Sequence, residues 1–386
     1  MQRIPAFRSL DALRGLAAVW VVMRHVSANF VGDNPSFGRE PLYSFSLRGQ
    51  LGVILFFAVS GYCITAAAYN ALASGKTVRR YAFERVRRIY PPYLAALLLG
   101  VLVTVLVGYA AAHHWIGPVH HPQIIGTSAF YWIGNAFLLQ LELSVEPVNF
   151  VFWSLCYEIA FYAVVGVLLW VAKLVGSRYG NPSAALTLFL GLTVTTYVSL
   201  LSLILLGRAV FPFDLWHLFS LGGILFFFLE SKPETVAGYS QRLRSFINWS
   251  VAGAVALTLA YIALHGNDDS DVSNPHSRIS AALSLVYLLM LVGLRRVDSR
   301  LAASRWMRPL LWLGACTYSL YLTHTIVIPF VDILTRKAGL NGNLYWISFW
   351  IQIAVAIGFG RLFYHWVERH FISSRQKKRL VEEHAS

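Results

Sequence analysis

Charge is what this sequence has least of. Asp, Glu, Lys and Arg make up 13% of its 386 residues, against roughly 25% in soluble domains. With 57% hydrophobic residues and a mean hydropathy of +0.57, that scarcity excludes an ordinary soluble fold and leaves an integral membrane protein. Cysteine is nearly absent as well. Cys63, Cys156 and Cys316 all fall in apolar segments, without the spacing of a metal site, which argues against a disulfide framework and for small packing residues. No cleavable leader is expected, because the first apolar run keeps Asp11 and Arg14 and lacks a small-residue cleavage site. Repeats and low-complexity tracts are missing too.

What is present is a series of ten long apolar runs, at about 10–30, 51–71, 93–112, 150–172, 184–206, 213–230, 246–264, 279–294, 310–330 and 345–366. An eleventh, 125–141, is shorter and carries Asn135 and Gln140, so it reads as re-entrant or interfacial. Basic residues set the orientation. With the N-terminus in the cytoplasm, 23 of the 32 Lys and Arg fall on the inner side and 6 on the outer side. Letting 125–141 cross would turn the five arginines of 295–308 outward, so ten crossings fit better, with both termini inside. The net charge of +14 is thereby absorbed by inner loops, and no nucleic-acid partner is expected. The expected fold is all-α: a polytopic membrane helical bundle, with residues 1–372 as one transmembrane domain and 373–386 as a cytoplasmic polar tail.

Ionisable residues inside apolar runs are costly and mark candidate sites. Arg14 and His25 lie eleven residues apart in the first run, roughly 16 Å along one helix. Counting about 1.5 Å per residue from the inner face, His25 rises roughly 22 Å, Glu158 stands at roughly 18 Å and His324 at roughly 21 Å. Three titratable groups from separate helices thus share one layer. A histidine oriented by a carboxylate is what proton abstraction from a hydroxyl needs, which makes His25 and Glu158 the catalytic candidates. A second layer lies near the inner face. There Arg14 and Arg361 accompany Arg85 and Arg88 of the segment Arg85-Val86-Arg87-Arg88-Ile89-Tyr90-Pro91-Pro92, read here as an inner loop. Guanidinium groups gathered at a cytoplasmic mouth suit a phosphate-rich ligand, although anionic lipid explains Arg87 and Arg88 equally well. Arg14 also stands where it can pair with Asp11 one turn earlier. His113, His114, His120 and His121 invite a metal, but without a helical period or an accompanying carboxylate they read as a solvated loop, and no metal site is expected.

Several short motifs coincide with these residues. Arg14 and His25 are spaced by ten residues. Gly52-Val53, Phe56-Phe57 and Ser60-Gly61-Tyr62 follow. Next come Arg85, Arg88, Tyr90 and Pro91, then Trp153-Ser154-Leu155, Glu158 and Phe161-Tyr162. Gly314, Thr317-Tyr318 and Tyr321-Leu322 with His324 come last. In this order they resemble the signatures of the integral-membrane acyltransferase 3 family, the polysaccharide O-acyltransferases of bacteria, over nearly the whole chain. Thr317 stands where serine is common, and Glu368-Arg369-His370 departs from the family's Glu-x-Pro. Some members carry an additional extracytoplasmic hydrolase-like domain, which this chain is expected to lack.

The resemblance implies a multi-pass enzyme of the bacterial inner membrane. It would move an acyl group, most simply acetyl, from cytoplasmic acyl-CoA to a hydroxyl of an extracytoplasmic glycan or lipid-linked sugar. Acyl-CoA enters as a donor substrate, and no bound cofactor is expected. Arg14, Arg85 and Arg88 would hold the CoA phosphates, His25 oriented by Glu158 would deprotonate the acceptor, and Trp153, Tyr318 and His324 would line the substrate, with Tyr318 or Trp153 donating to the developing oxyanion. A transporter or flippase for a glycan or lipid-linked sugar is the alternative, since charges in two layers also suit a substrate path. Against it, the two halves show no inverted repeat.

Overall fold

The computed structural model describes residues 7–28, 30, 40–114, 128–230, 241–264, 274–340 and 344–372. Among the described residues there is no β-strand, and thirteen α-helices carry the fold. In chain order they are α1 (Ser9–Ala28), α2 (Pro41–Leu47), α3 (Leu51–Ala73), α4 (Val78–Ala112), α5 (Ala129–Phe137), α6 (Trp153–Tyr179) and α7 (Asn181–Leu206). Then follow α8 (Trp216–Glu230), α9 (Gln241–Leu264), α10 (Arg278–Ala303), α11 (Arg308–Ala315), α12 (Thr317–Lys337) and α13 (Tyr345–Trp366). The protein is thus an all-α polytopic membrane bundle. Eight helical stretches are long and apolar enough to cross a membrane. The other two apolar runs also form helices: α1, which carries Asp11, Arg14 and Arg24, and α8, whose fifteen residues span about 22 Å. The short eleventh run yields α5, nine residues and about 13 Å, which cannot cross a ~30 Å hydrocarbon core.

Local signals place the helix ends. Gly180 at φ 89° precedes α7, Pro182 sits in its first turn, and Gly207 at φ 66° closes it. Ser277 caps α10 by accepting from the Ser280 amide at 3.2 Å. One expectation needs correction. Arg85–Pro92, read as a loop, is helical, inside the 35 residues of α4. Pro91 and Pro92 remove the amides that would have bonded the carbonyls of Arg87 and Arg88. Beside them the Tyr318 hydroxyl donates to the carbonyl of Ile89 at 3.0 Å, a tertiary bond to this stretch of the helix.

The helices group into two compact units. The first draws on Met1–Ala17, Gln50–Arg85 and Tyr157–Leu311. Its centre is α8, buried nearly all round, as an apolar helix without a polar face must be. Helices α3 and α8 cross with backbones almost touching: a Cβ on Gly61 would collide with the Phe219 carbonyl, and one on Gly222 with that of Ala58. Small residues at a membrane-helix crossing allow such approach. Phe57 stacks on Phe219 at 4.1 Å, and Phe161 stacks on the same ring at 5.0 Å. Gly61→Leu should therefore prise the crossing apart, costing ~3 kcal/mol or more, while Gly166→Ala, whose new methyl would meet nothing within 4 Å, should leave stability unchanged or slightly raised. Thermal unfolding of the two purified variants in detergent checks this. A Gly61→Leu protein as stable as wild type would contradict the packing described.

This unit also anchors the start of α1. Asp298 on α10 accepts from the amides of Arg8 at 3.2 Å and Ser9 at 2.7 Å, and from the Ser9 hydroxyl at 2.7 Å. A carboxylate there satisfies the free amides of a helix N-terminus and suits its positive end. Arg295 pairs with Glu230 at 2.7 Å and reaches Asp298 at 3.8 Å, and Tyr62 donates to Glu230 at 2.8 Å. The group is buried, charge-compensated and hydrogen-bonded throughout, which is what buried charges require.

The second unit draws on Ala18–Gly49, Val86–Cys156 and Trp312–Ser386. Its spine is the pair α12 and α13, which close up where Gly360 faces Leu320; a Cβ there would lie 2.8 Å from the Leu320 Cα. Glu368, just beyond α13, accepts from the Ser319 amide at 3.1 Å and its hydroxyl at 2.6 Å, capping the first turn of α12. Asn135 and Gln140 secure the chain after α5. Asn135 donates to the carbonyls of Tyr131 and Glu146, both at 3.0 Å, and accepts from the Val148 amide at 2.8 Å. Gln140 accepts from the Cys156 thiol at 2.9 Å. These bonds fix the approach to Phe150–Phe152, a single turn of 3₁₀ helix that leads into α6.

Candidate active site

The second half of α1 carries His25 to a half-buried position in the second unit. Its ring stands edge-on to Phe150 at 4.9 Å and beside the ring of His324 at 5.1 Å, tilted by 37°. His324, on α12, is fully buried at 0% exposure. Its Nδ1 lies 3.0 Å from the Leu320 carbonyl and 2.9 Å from that of Tyr321, while its Nε2 is buried without a hydrogen-bond partner. Tyr321 is held in turn: its hydroxyl lies 2.6 Å from the Ser154 hydroxyl and 3.0 Å from the Val151 carbonyl. Trp153 opens α6, half-buried. The depth argument puts His25 and His324 at one height, and the structure makes them ring neighbours.

Glu158 belongs to the first unit and shares its surroundings with the arginines. It accepts from the Tyr162 hydroxyl at 3.2 Å. Arg14, paired with Asp11 at 3.8 Å, lies within electrostatic reach of Glu158, Tyr162 and Cys63. Arg85 lies over the rings of Tyr81 at 5.7 Å and Tyr162 at 5.9 Å, with its Nε buried and unbonded. Glu158 and Arg14 thus influence each other by charge within this unit.

In the second unit Arg88 is half-buried and lies within electrostatic reach of Glu368. Arg361 is stacked between Trp312 at 4.9 Å and Tyr364 at 5.0 Å, with Nη1 buried and unbonded. Tyr318, expected near the reacting carbonyl, gives its hydroxyl proton to Ile89. Of the histidine-rich loop, only His113 and His114 are among the described residues. His113 rests against Tyr109 at 4.2 Å. Among the described residues no group of three or more His, Cys, Asp or Glu is placed to hold a metal.

Sequence reasoning missed two features. The cap that Glu368 places on α12 had only a faint signal, an acidic residue just past the last apolar run. The other is a polar cluster of the first unit, where Tyr157 donates to Asp214 at 2.5 Å and the His276 imidazole stands 3.7 Å from the same carboxylate. Burial pushes His276 below its usual range, opposed by Asp214.

Comparison with known proteins now bears on these groups. A family model described as an acyltransferase domain matches residues 7–365. The chain is 20% identical to the peptidoglycan O-acetyltransferase OatA of Listeria monocytogenes over 381 residues, covering 93% of this chain and 55% of that protein. It is 24% identical to the O-acetyltransferase OatA of Staphylococcus aureus over 351 residues, covering 84% of this chain and 51% of that protein. The chain thus spans about half the length of the curated relatives it matches. No solved structure matches it.

Proposed function

The chain belongs to the acyltransferase 3 family, and from that premise we propose that it transfers an acetyl group from cytoplasmic acyl-CoA to a hydroxyl of an extracytoplasmic glycan, in the inner membrane of a bacterium. The observation that carries this reading is a half-buried histidine, His25, inside an apolar helix and beside a second, fully buried histidine. An imidazole there offers a ring nitrogen that can accept a hydroxyl proton and pass it on within one turnover, leaving no lasting charge in the membrane's interior. The names of the Listeria and Staphylococcus relatives, both O-acetyltransferases, support the choice of acetyl and of a hydroxyl acceptor.

In this reading His25 is the general base. Arg88, in the same unit as His25, binds phosphate of the donor through its guanidinium fork. In the first unit Arg14 and Arg85 are guanidinium groups of the same chemistry, and the buried Nε of Arg85 is a donor without a partner. Glu158, which accepts from Tyr162 and lies within electrostatic reach of Arg14, steadies these groups of the first unit. Trp153 and His324 belong to the acceptor side, and Tyr318 secures α4 around its two prolines.

The test is label transfer. Membranes containing the protein, given acetyl-CoA labelled in its acetyl group, should pass the label to a glycan or lipid-linked sugar, and membranes without it should not. Glycan movement across the membrane with no label transferred would identify a transporter instead.

A further inference from the structure

The two nitrogens of His324 have different surroundings. Nδ1 faces two backbone carbonyls, at 3.0 and 2.9 Å. Carbonyl oxygens only accept, so Nδ1 carries the ring proton of the neutral imidazole and Nε2 is a bare lone pair. That lone pair is buried and unbonded, in a side chain with no exposed surface. Leaving a buried acceptor unsatisfied is costly, and native structures seldom do so without a reason.

The neighbouring ring can supply the missing donor. The centroids of His25 and His324 are 5.1 Å apart. An N–H···N bond of about 2.9 Å, with each nitrogen roughly 1.1 Å from its ring centre, needs a centroid separation of roughly 5.1 Å. An imidazole is nearly symmetric about its Cβ–Cγ bond. Half a turn of His25 about χ2 therefore exchanges ring carbons for nitrogens and leaves the centroid where it is.

We propose that His324 is the positioning residue for His25: its Nε2 accepts a hydrogen bond from a ring N–H of His25 and so selects the tautomer whose other nitrogen is bare and turned to the acceptor hydroxyl. The inference rests on the reading of His25 as the base. The hydroxyl O–H bond breaks and its proton passes to the bare nitrogen of His25. The oxygen attacks the acyl carbonyl, the C–S bond of the thioester breaks, and the departing thiolate takes the proton from His25. His324 stays neutral throughout, and its hydrogen bond strengthens while His25 is cationic. An imidazole whose tautomer is set by the helix backbone thus takes the orienting part that a carboxylate often plays.

Two conservative variants separate this role from a structural one. His324→Gln can place an amide oxygen near the site of Nε2, whereas His324→Asn keeps a polar group only near Nδ1. Positioning predicts that the Gln variant retains about a tenth of wild-type kcat or more. The Asn and Ala variants should lose about a hundredfold or more, with KM for acetyl-CoA within about twofold throughout. A role confined to bonding the Leu320 and Tyr321 carbonyls predicts the reverse order, Asn active and Gln not. Wild-type turnover in the Asn variant, or equal losses in the Gln and Asn variants, overturns the proposal. His25→Ala is measured in parallel. If that variant keeps its turnover, it is the identity of the base that fails, and the two failures are told apart.

Discussion

Replacing His25 by alanine should abolish acetyl transfer while the protein still inserts and accumulates. Removing a general base typically costs 10²–10⁴-fold in rate, and no other described side chain stands where His25 does, between Phe150 and His324. Stability should fall only modestly, by about 1–3 kcal/mol, because the buried Nε2 of His324 loses its donor. The His25 side chain is half-buried, and the helix around it is held by other contacts. Trp20 on the same helix stacks on Phe45 at 5.1 Å and donates to its carbonyl at 2.8 Å, and Asp298 caps the helix start. The measurement is label transfer from acetyl-CoA at matched amounts of protein, with thermal unfolding in detergent as the control. A stable His25→Ala protein that retains most of its turnover would remove His25 from the chemistry.

How far the sequence could be read depended on the range of the interactions involved. Each of the ten apolar runs yielded helix, because hydrophobic length is a local property, although 310–330 is divided at Cys316 between α11 and α12. The Arg14–Asp11 pair was legible for the same reason, the partners being three residues apart on one helix. His25 and His324 are 299 positions apart, yet topology alone gave them one depth. By contrast, Arg85–Pro92 read as a loop because two prolines and a charge run are breaker signals, whereas the helix runs through them and meets Tyr318 at the Ile89 carbonyl. Depth fixes height along the bilayer normal but not azimuth around the bundle, so it could not say that Glu158 accepts from Tyr162 one turn on. The caps from Asp298 and Glu368 join residues 289 and 49 positions apart, and no local pattern announces them. The chemistry-bearing residues were therefore visible, and their pairing was not.

Replacing Arg88 by alanine should raise the KM for acetyl-CoA on the order of ten- to a hundredfold while lowering kcat far less. A hydrogen bond between charged groups contributes ~1.5–3 kcal/mol, and each ~1.4 kcal/mol is tenfold in affinity. The contact is made to a phosphate remote from the reacting carbonyl, so it is present in ground and transition state alike and appears in KM rather than kcat. Lysine in the same place should restore part of the loss, because a point charge cannot reproduce a bidentate fork. The same lysine separates substrate binding from support of Glu368, which lies within electrostatic reach of Arg88: a cation of either shape serves the carboxylate, so full rescue by lysine would assign Arg88 to Glu368 instead of the donor. Sidedness completes the test. CoA carries several phosphate charges that cannot cross hydrocarbon cheaply, and the distribution of Lys and Arg predicts that Arg88 lies at the cytoplasmic face. In sealed vesicles of defined orientation, acetyl-CoA offered only to the cytoplasmic face should support transfer, and the Arg88→Ala variant should need correspondingly more of it. Equal transfer with the donor confined to the outer face would overturn both the orientation and the donor site.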